Sequence, residues 1–247
     1  MTLTRPVFES VVGAGAMINW ITVARENLPI YEDWYNYQHL PERVSTPGFL
    51  RARRFSATDQ VDNESCDFLT LYETTDVSVL ASPEYLRRLD NPTDLTLEVV
   101  PLFAEFRRAA CRVTVARGHG SAGRVVALEI ESDVDPDRLR DALGGDVFGS
   151  LITEHHLVAA SLYEPDLAVS DAKNATAEGR SSDQQRAAAS VILAELHTGA
   201  DATLVADELV ARSAQAGVVI RPVAPHRAFT LIYELRSTSP DQEPACG

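Results

Sequence analysis

The sequence is poor in cysteine and in positive charge, and it has no long apolar run. Its three cysteines, Cys66, Cys111 and Cys246, are too few and too scattered for a disulfide framework or a structural zinc site. Free thiols in a reducing cytoplasm are the expectation. Lysine and arginine number 22 against 36 aspartates and glutamates, a formal net charge of −14. Non-specific binding to nucleic acid or to an anionic membrane needs basic surface, so neither partner is expected. No segment approaches the roughly 20 apolar residues that span a bilayer. The stretch from Met1 to Pro6 lacks the basic-then-apolar layout of a secretory signal, and a cytoplasmic location follows as an expectation.

Several catalytic signatures are missing as well. Gly13 and Gly15 begin a superficial dinucleotide-loop pattern, but its third glycine position holds Ile18 and strand-like residues follow, so the Rossmann reading fails. No Gly-x-Ser-x-Gly elbow and no phosphate-binding loop is present. His155 and His156 are adjacent on an expected strand, so they project to opposite faces and cannot easily share an ion. With no His-x-His or Glu-x-x-His pair, no metal site is expected. Heme would need an axial ligand, and His39, His119 or His197 could serve only by coincidence. Asn174-Ala175-Thr176 matches a glycosylation sequon, which means little without a secretory signal.

What is present is a chain with 45% hydrophobic residues, enough for one large domain or two of about 100–120 residues. Met17–Val23 reads as a strand. A helix follows, with Asn27 able to cap it, Pro29 in its first turn, and Ile30, Trp34, Tyr37 and Gln38 on one stripe. It runs to about Leu40, where Pro41 ends or kinks it. Strands at Phe49–Phe55 and Asp67–Glu73 come next. A helical region over Pro83–Arg107, broken near Asn91-Pro92, precedes a strand at Ala110–Ala116.

The same order then recurs. A strand at Arg124–Glu131 and a helix within Asp135–Leu151 lead to strands at His156–Tyr163 and Ala187–Leu196. A helix at Ala202–Gln215, stopped by Gly217, and a strand at Phe229–Leu235 complete it. Leu69–Asp76 and Leu193–Asp201 are the clearest trace of duplication: apolar strands with a late glutamate, then Thr and Asp at an expected helix cap. The expected fold is therefore α+β, with tandem duplicated ferredoxin-like βαββαβ units forming an intrachain α/β barrel. The halves are residues 1–117, carrying the candidate site, and 118–236, degenerate, joined through Thr114–Gly123. A flexible tail occupies 237–247, and Ser170–Gln185 reads as a mobile insertion.

The segment Trp34-Tyr35, His39-Leu40-Pro41-Glu42, Pro47-Gly48-Phe49 and Arg53-Arg54 resembles the dimeric α/β-barrel superfamily, close to its EthD-like proteins. The resemblance covers residues 13–110 and is only topological over 120–235. It implies a pocket between the first helix and the sheet, with His39 leading for proton transfer. The second half has no Trp or His in its first helix, so one such site per chain is expected. The superfamily hosts cyclases, isomerases, dehydratases, monooxygenases and some heme proteins, so the fold does not fix the reaction.

Within that frame His39 is a candidate general base or acid, since imidazole titrates near neutrality. A helix-end histidine that balances the dipole or bonds backbone carbonyls is the plainer role. Tyr72 could donate to a developing oxyanion. Trp34 and Tyr37 could form an aromatic wall, or simply be core. Tyr31 and Tyr35 fall on a neighbouring face, expected to be surface or interface. Asn19, polar inside an apolar strand, needs a partner if buried. Arg53 and Arg54 point to opposite faces, so at most one, here Arg53, reaches a given cavity. Glu73 and Glu195 are expected as structural partners of the arginines.

The expected function is a cofactor-independent enzyme acting by proton transfer on a small cyclic, aromatic or polyketide-like substrate, of isomerase, cyclase or dehydratase type. A non-catalytic small-molecule-binding or assembly protein is the alternative, and a cofactor-free monooxygenase a further one. A homodimer is left open.

Overall fold

A computed structural model describes residues 11–58, 64–154, 156–181 and 185–237. The stretch from Met1 to Pro6, His155, Cys246 and the tail beyond Ser237 lie outside the described residues. The chain begins with β1 (Gly15–Ala24), α1 (Leu28–Trp34), a π-turn at Tyr35–His39 and α2 (Leu40–Val44). It continues through β2 (Phe49–Ala57), β3 (Ser65–Thr74), α3 (Pro83–Asp90), α4 (Asp94–Val99) and β4 (Phe103–Gly118). Then come β5 (Arg124–Ser132), α5 (Pro136–Ala142), a second π-turn at Leu143–Val147, α6 (Phe148–Thr153) and β6 (Leu157–Pro165). After α7 (Leu167–Ala172), α8 (Ala177–Ser181) and β7 (Gln185–Arg186), the chain ends with β8 (Ser190–Leu196), α9 (Ala202–Gln215), β9 (Ile220–Pro222) and β10 (Arg227–Arg236).

These elements fall into two compact units, each described separately. Among the described residues, one comprises Gly13–Arg112, Pro165–Ala188 and 231–237; the other comprises 11–12, Val113–Glu164 and Ala189–Thr230. In the first, β2, β3, β1 and β4 lie side by side in that order, all antiparallel, and β7 pairs parallel with β4. In the second, the order is β10, β5, β8, β6, again antiparallel, with β9 also pairing with β5. Numbered within each unit, both sheets read 4-1-3-2, the order that a βαββαβ unit adopts when its two helices cover one face. Each unit has its own apolar core. The first is centred on Met17, Trp34, Tyr35, Phe49 and Tyr72, the second on Val126, Leu143, Phe148 and Leu209.

The structure departs from expectation where local geometry overrode pattern. Pro41 does not end the first helix, which stays helical to Val44. Proline is second in the turn that follows the π-turn, a position at which a missing N–H is tolerated. Asn27 follows a short 3-10 turn and makes no side-chain cap hydrogen bond. The helical region expected over Pro83–Arg107 stops at Val99, after the break at 91–93, and β4 begins at Phe103 because Phe103–Arg112 pairs along the length of β1. Residues 170–181, expected as a mobile insertion, instead form the end of α7, a 3-10 turn at Lys173–Ala175 and α8. Ser170, Lys173, Thr176 and Glu178 are buried there. The Asp166 carboxylate caps α7 by accepting from the Val169 amide at 3.1 Å.

Candidate functional site

The site is assembled in the first unit, and the π-turn governs it. Regular helix spacing after Tyr31, Trp34 and Tyr35 would return Gln38 to the buried face. A π-turn inserts one extra residue, so the buried stripe runs instead through Tyr31, Trp34, Tyr35, His39, Leu40, Arg43 and Val44. His39 is thereby turned inward, 6% exposed, and Tyr37 is left outside at 74%. Tyr31 and Tyr35, expected on a surface face, are fully buried, and with Trp34 they form the buried face of the helix ahead of the turn. The helix of the second unit has a π-turn after an initial segment of the same seven residues. There Val147 stands where His39 stands here, at the end of the turn.

Beneath this helix a polar row crosses all four strands. Arg54 of β2 is paired with Thr70 of β3, Thr70 with Asn19 of β1, and Asn19 with Arg108 of β4. Arg54 is consumed structurally: its guanidinium takes the Glu32 carboxylate at 2.6 and 2.8 Å and lies over the rings of Tyr31, Tyr35 and Phe68. Arg108 donates through Nε toward the Met17 sulfur at 3.0 Å and through Nη1 to the Ser170 carbonyl at 3.4 Å. Among the described residues its Nη2 has no partner, and neither have Asn19 Oδ1, Thr70 Oγ1 and His39 Nδ1. Buried polar atoms are normally paired, so this clustering is unusual.

Three of these residues, Asn19, His39 and Arg108, line one cavity with Trp34, Tyr35, Arg43, Phe106, Lys173 and Glu178. Its free space of about 10 Å³ is room for roughly one water. The His39 ring stacks obliquely on Trp34 at 4.5 Å and Tyr35 at 5.0 Å. Trp34 is fixed from behind, its indole N–H donating to Thr96 Oγ1 at 3.0 Å. Arg43 and Lys173 both pair with the Glu178 carboxylate, Lys173 at 3.0 Å, and the Lys173 ammonium lies 4.9 Å from the centre of the Phe106 ring.

The cavity is cationic. Arg43, Arg108 and Lys173 stand against one carboxylate, Glu178, an excess of two positive charges. Burial, then Arg43, lowers the His39 pKa well below its ordinary value, so the ring is neutral at pH 7. Burial pulls the Lys173 ammonium down to about 8 against the opposing pull of Glu178, and it still carries its proton at neutrality. Burial would raise the Glu178 carboxyl, but Arg43 and Lys173 overrule it and hold it well below the carboxylate range. A neutral imidazole with one nitrogen free, facing fixed cations, can accept a proton and leave an anion beside them.

The residues expected from sequence are distributed unevenly. His39, Asn19 and Trp34 meet at the cavity. Tyr72 is buried behind it, its hydroxyl donating to the Tyr35 hydroxyl at 3.2 Å, where burial raises the phenol pKa. Tyr37 does not line the cavity, and Arg53 lies on the opposite face of β2, over Phe55 and 3.7 Å from Glu73. Glu73 is instead chiefly the partner of Arg51, at 2.5 and 3.0 Å, and Glu195 accepts from the Ala122 amide. Arg43, Arg108, Lys173 and Glu178 were not anticipated. Alternation would have found Arg108 had β4 been started at Phe103, and the caps at Asp166 and Thr176 mark α7 and α8. Among the described residues no group of three or more His, Cys, Asp or Glu could hold a metal ion. No helix among them is long and apolar enough to cross a membrane.

No family model matches the sequence, and no curated protein matches it either. Solved structures do. An anthrone oxidase-like protein superposes with a TM-score of 0.55 at 12% identity, over 95% of this chain and 98% of that one. A protein described as a candidate monooxygenase, from Fusobacterium nucleatum, superposes with a TM-score of 0.51 at 9% identity, over 92% and 96%. The likeness is one of fold. At these identities it carries no residue across.

Proposed function

We propose that this protein is a cofactor-independent enzyme that removes a proton from an acidic carbon of a small cyclic, aromatic or polyketide-like substrate. One observation carries the reading: His39 lines a cavity with excess positive charge, and its buried Nδ1 has no partner among the described residues. A purely structural histidine would be expected to have its nitrogens satisfied. His39 is the base in this scheme, Arg108 and Asn19 face the enolate as it forms, and Trp34 supports the substrate ring. Tyr72 acts at one remove by holding Tyr35. The cavity admits a substrate only when part of its wall moves, and Lys173 and Glu178 on 167–181 are that part.

The deprotonated substrate then has two fates. In the isomerase, cyclase or dehydratase reading the enolate is reprotonated or expels a leaving group. In the monooxygenase reading it passes electrons to dioxygen, one oxygen atom becoming the new carbonyl and the other leaving as water. The names of the two structural neighbours favour the second outcome. The same proposal includes EthD-like kinship, a cytoplasmic location, and duplicated halves closing an intrachain barrel. The common strand order and the two matching π-turns support the duplication.

Anthrone, whose methylene is acidic, is the first probe. Chelator-treated protein under air should speed its conversion to anthraquinone with matching oxygen uptake, and His39→Gln should lower the rate by about 10²–10⁴. Substrate loss without oxygen uptake would select the isomerase-type reading. Full activity in His39→Gln would overturn the assignment of the base.

A further inference from the structure

We propose that the cavity takes a substrate that is already an anion, a small aromatic carboxylic acid, with Arg108 and Lys173 as the residues that recognise its carboxylate. The inference rests on the proton-transfer reading above and names its substrate class. The residues that line the cavity carry an excess of two positive charges, and isolated buried charge is costly unless an opposite charge meets it. Proton transfer to His39 forms an enolate and an imidazolium together, so it leaves the net charge of the cavity unchanged. Offsetting the excess therefore needs a group that arrives ionised.

The donors for that group are present. Arg108 is 1% exposed and its Nη2 has no partner. Asn19, 4% exposed and opposite Arg108 in the ladder, also has an unpaired side-chain atom. Lys173 Nζ shares a single carboxylate with Arg43. An arginine fork with a free Nη and an adjacent ammonium suit a planar carboxylate, and Trp34, Phe103 and Phe106 suit the ring that bears it. Lys173 belongs to the segment inserted between β6 and β8, so this specificity is supplied from outside the βαββαβ framework of the unit.

Benzoate and its neutral isostere benzamide provide the test, with binding to the full chain read by calorimetry. Benzoate should bind at least tenfold more tightly than benzamide. Arg108→Gln and Lys173→Gln should each weaken benzoate at least tenfold and leave benzamide within threefold, whereas Arg108→Lys, which keeps the charge and loses the fork, should fall between wild type and Arg108→Gln. Equal binding of the two probes, or unaltered benzoate binding in both glutamine variants, would overturn the proposal. Should either variant fail to fold by circular dichroism, the wild-type ratio of benzoate to benzamide decides alone. A high ratio with undiminished turnover in His39→Gln would retain the carboxylate site and reject the base; the reverse pattern would retain the base and reject the site.

Discussion

Replacing His39 by glutamine should change how stability depends on pH, more than it changes stability itself. At pH 8 the imidazole is neutral in both folded and unfolded chains. The variant then loses ring packing against Trp34 and Tyr35 and no protein hydrogen bond at Nδ1, which should cost about 1 kcal/mol. Below pH 6.5, the ordinary value of the ring, the unfolded chain takes up a proton that the folded chain refuses. A depressed folded pKa gives stability that is present above 6.5 and lost as the pH falls. Wild type should therefore lose up to about 1.4 kcal/mol per pH unit from this one proton, until the folded ring protonates. His39→Gln has no such proton, and the other histidines are common to both proteins. Urea unfolding at half-unit steps from pH 8 to pH 5 should show the gap between the two closing as acid is added. Parallel curves across that range would refute the claim that a neutral, buried imidazole faces the cavity cations.

Three further outcomes follow from the same geometry. Glu178→Gln leaves Arg43 and Lys173 buried without their carboxylate and should cost about 3–5 kcal/mol in urea at pH 7; a loss under 1 kcal/mol would mean that the cluster is not closed in solution. Gly48 has a φ of +89°, and a Cβ there would sit 2.6 Å from Val79 Cγ2. Gly48→Ala should thus lower stability by at least about 1–2 kcal/mol, and a neutral result would show that the turn can relax. Tyr37→Ala, on the exposed side of the helix, should leave both stability, within about 0.5 kcal/mol, and turnover unchanged; a fall in turnover alone would return Tyr37 to the site.

The fold was more legible in the sequence than the site. The apolar, β-branched run at Met17–Val23 and the helix breaks at Asn91-Pro92 and Gly217 are local signals, and the structure has a strand and two helix ends there. The π-turn is not a local signal. It accompanies the packing of Trp34, Tyr35 and His39 against one another, and regular periodicity carried past Trp34 put Tyr37 and Gln38 on the buried stripe. Arg108 was missed because β4 starts seven residues earlier than its apolar stretch, held there by pairing with β1. Lys173 and Glu178 sit in a segment whose Ala, Ser and Gly content resembles a linker, and only the tertiary fold shows that its few polar residues point inward. Asn19 and His39 were recognisable because each is an odd residue in a regular pattern.

Proton abstraction can be isolated from everything that follows it. Anthrone incubated with the protein in deuterium oxide under argon should exchange its methylene hydrogens, read by proton NMR. The account predicts exchange well above the buffer rate with wild type and at least a hundredfold slower enzymatic exchange with His39→Gln. Exchange no faster than buffer, or equally fast in both proteins, would contradict it.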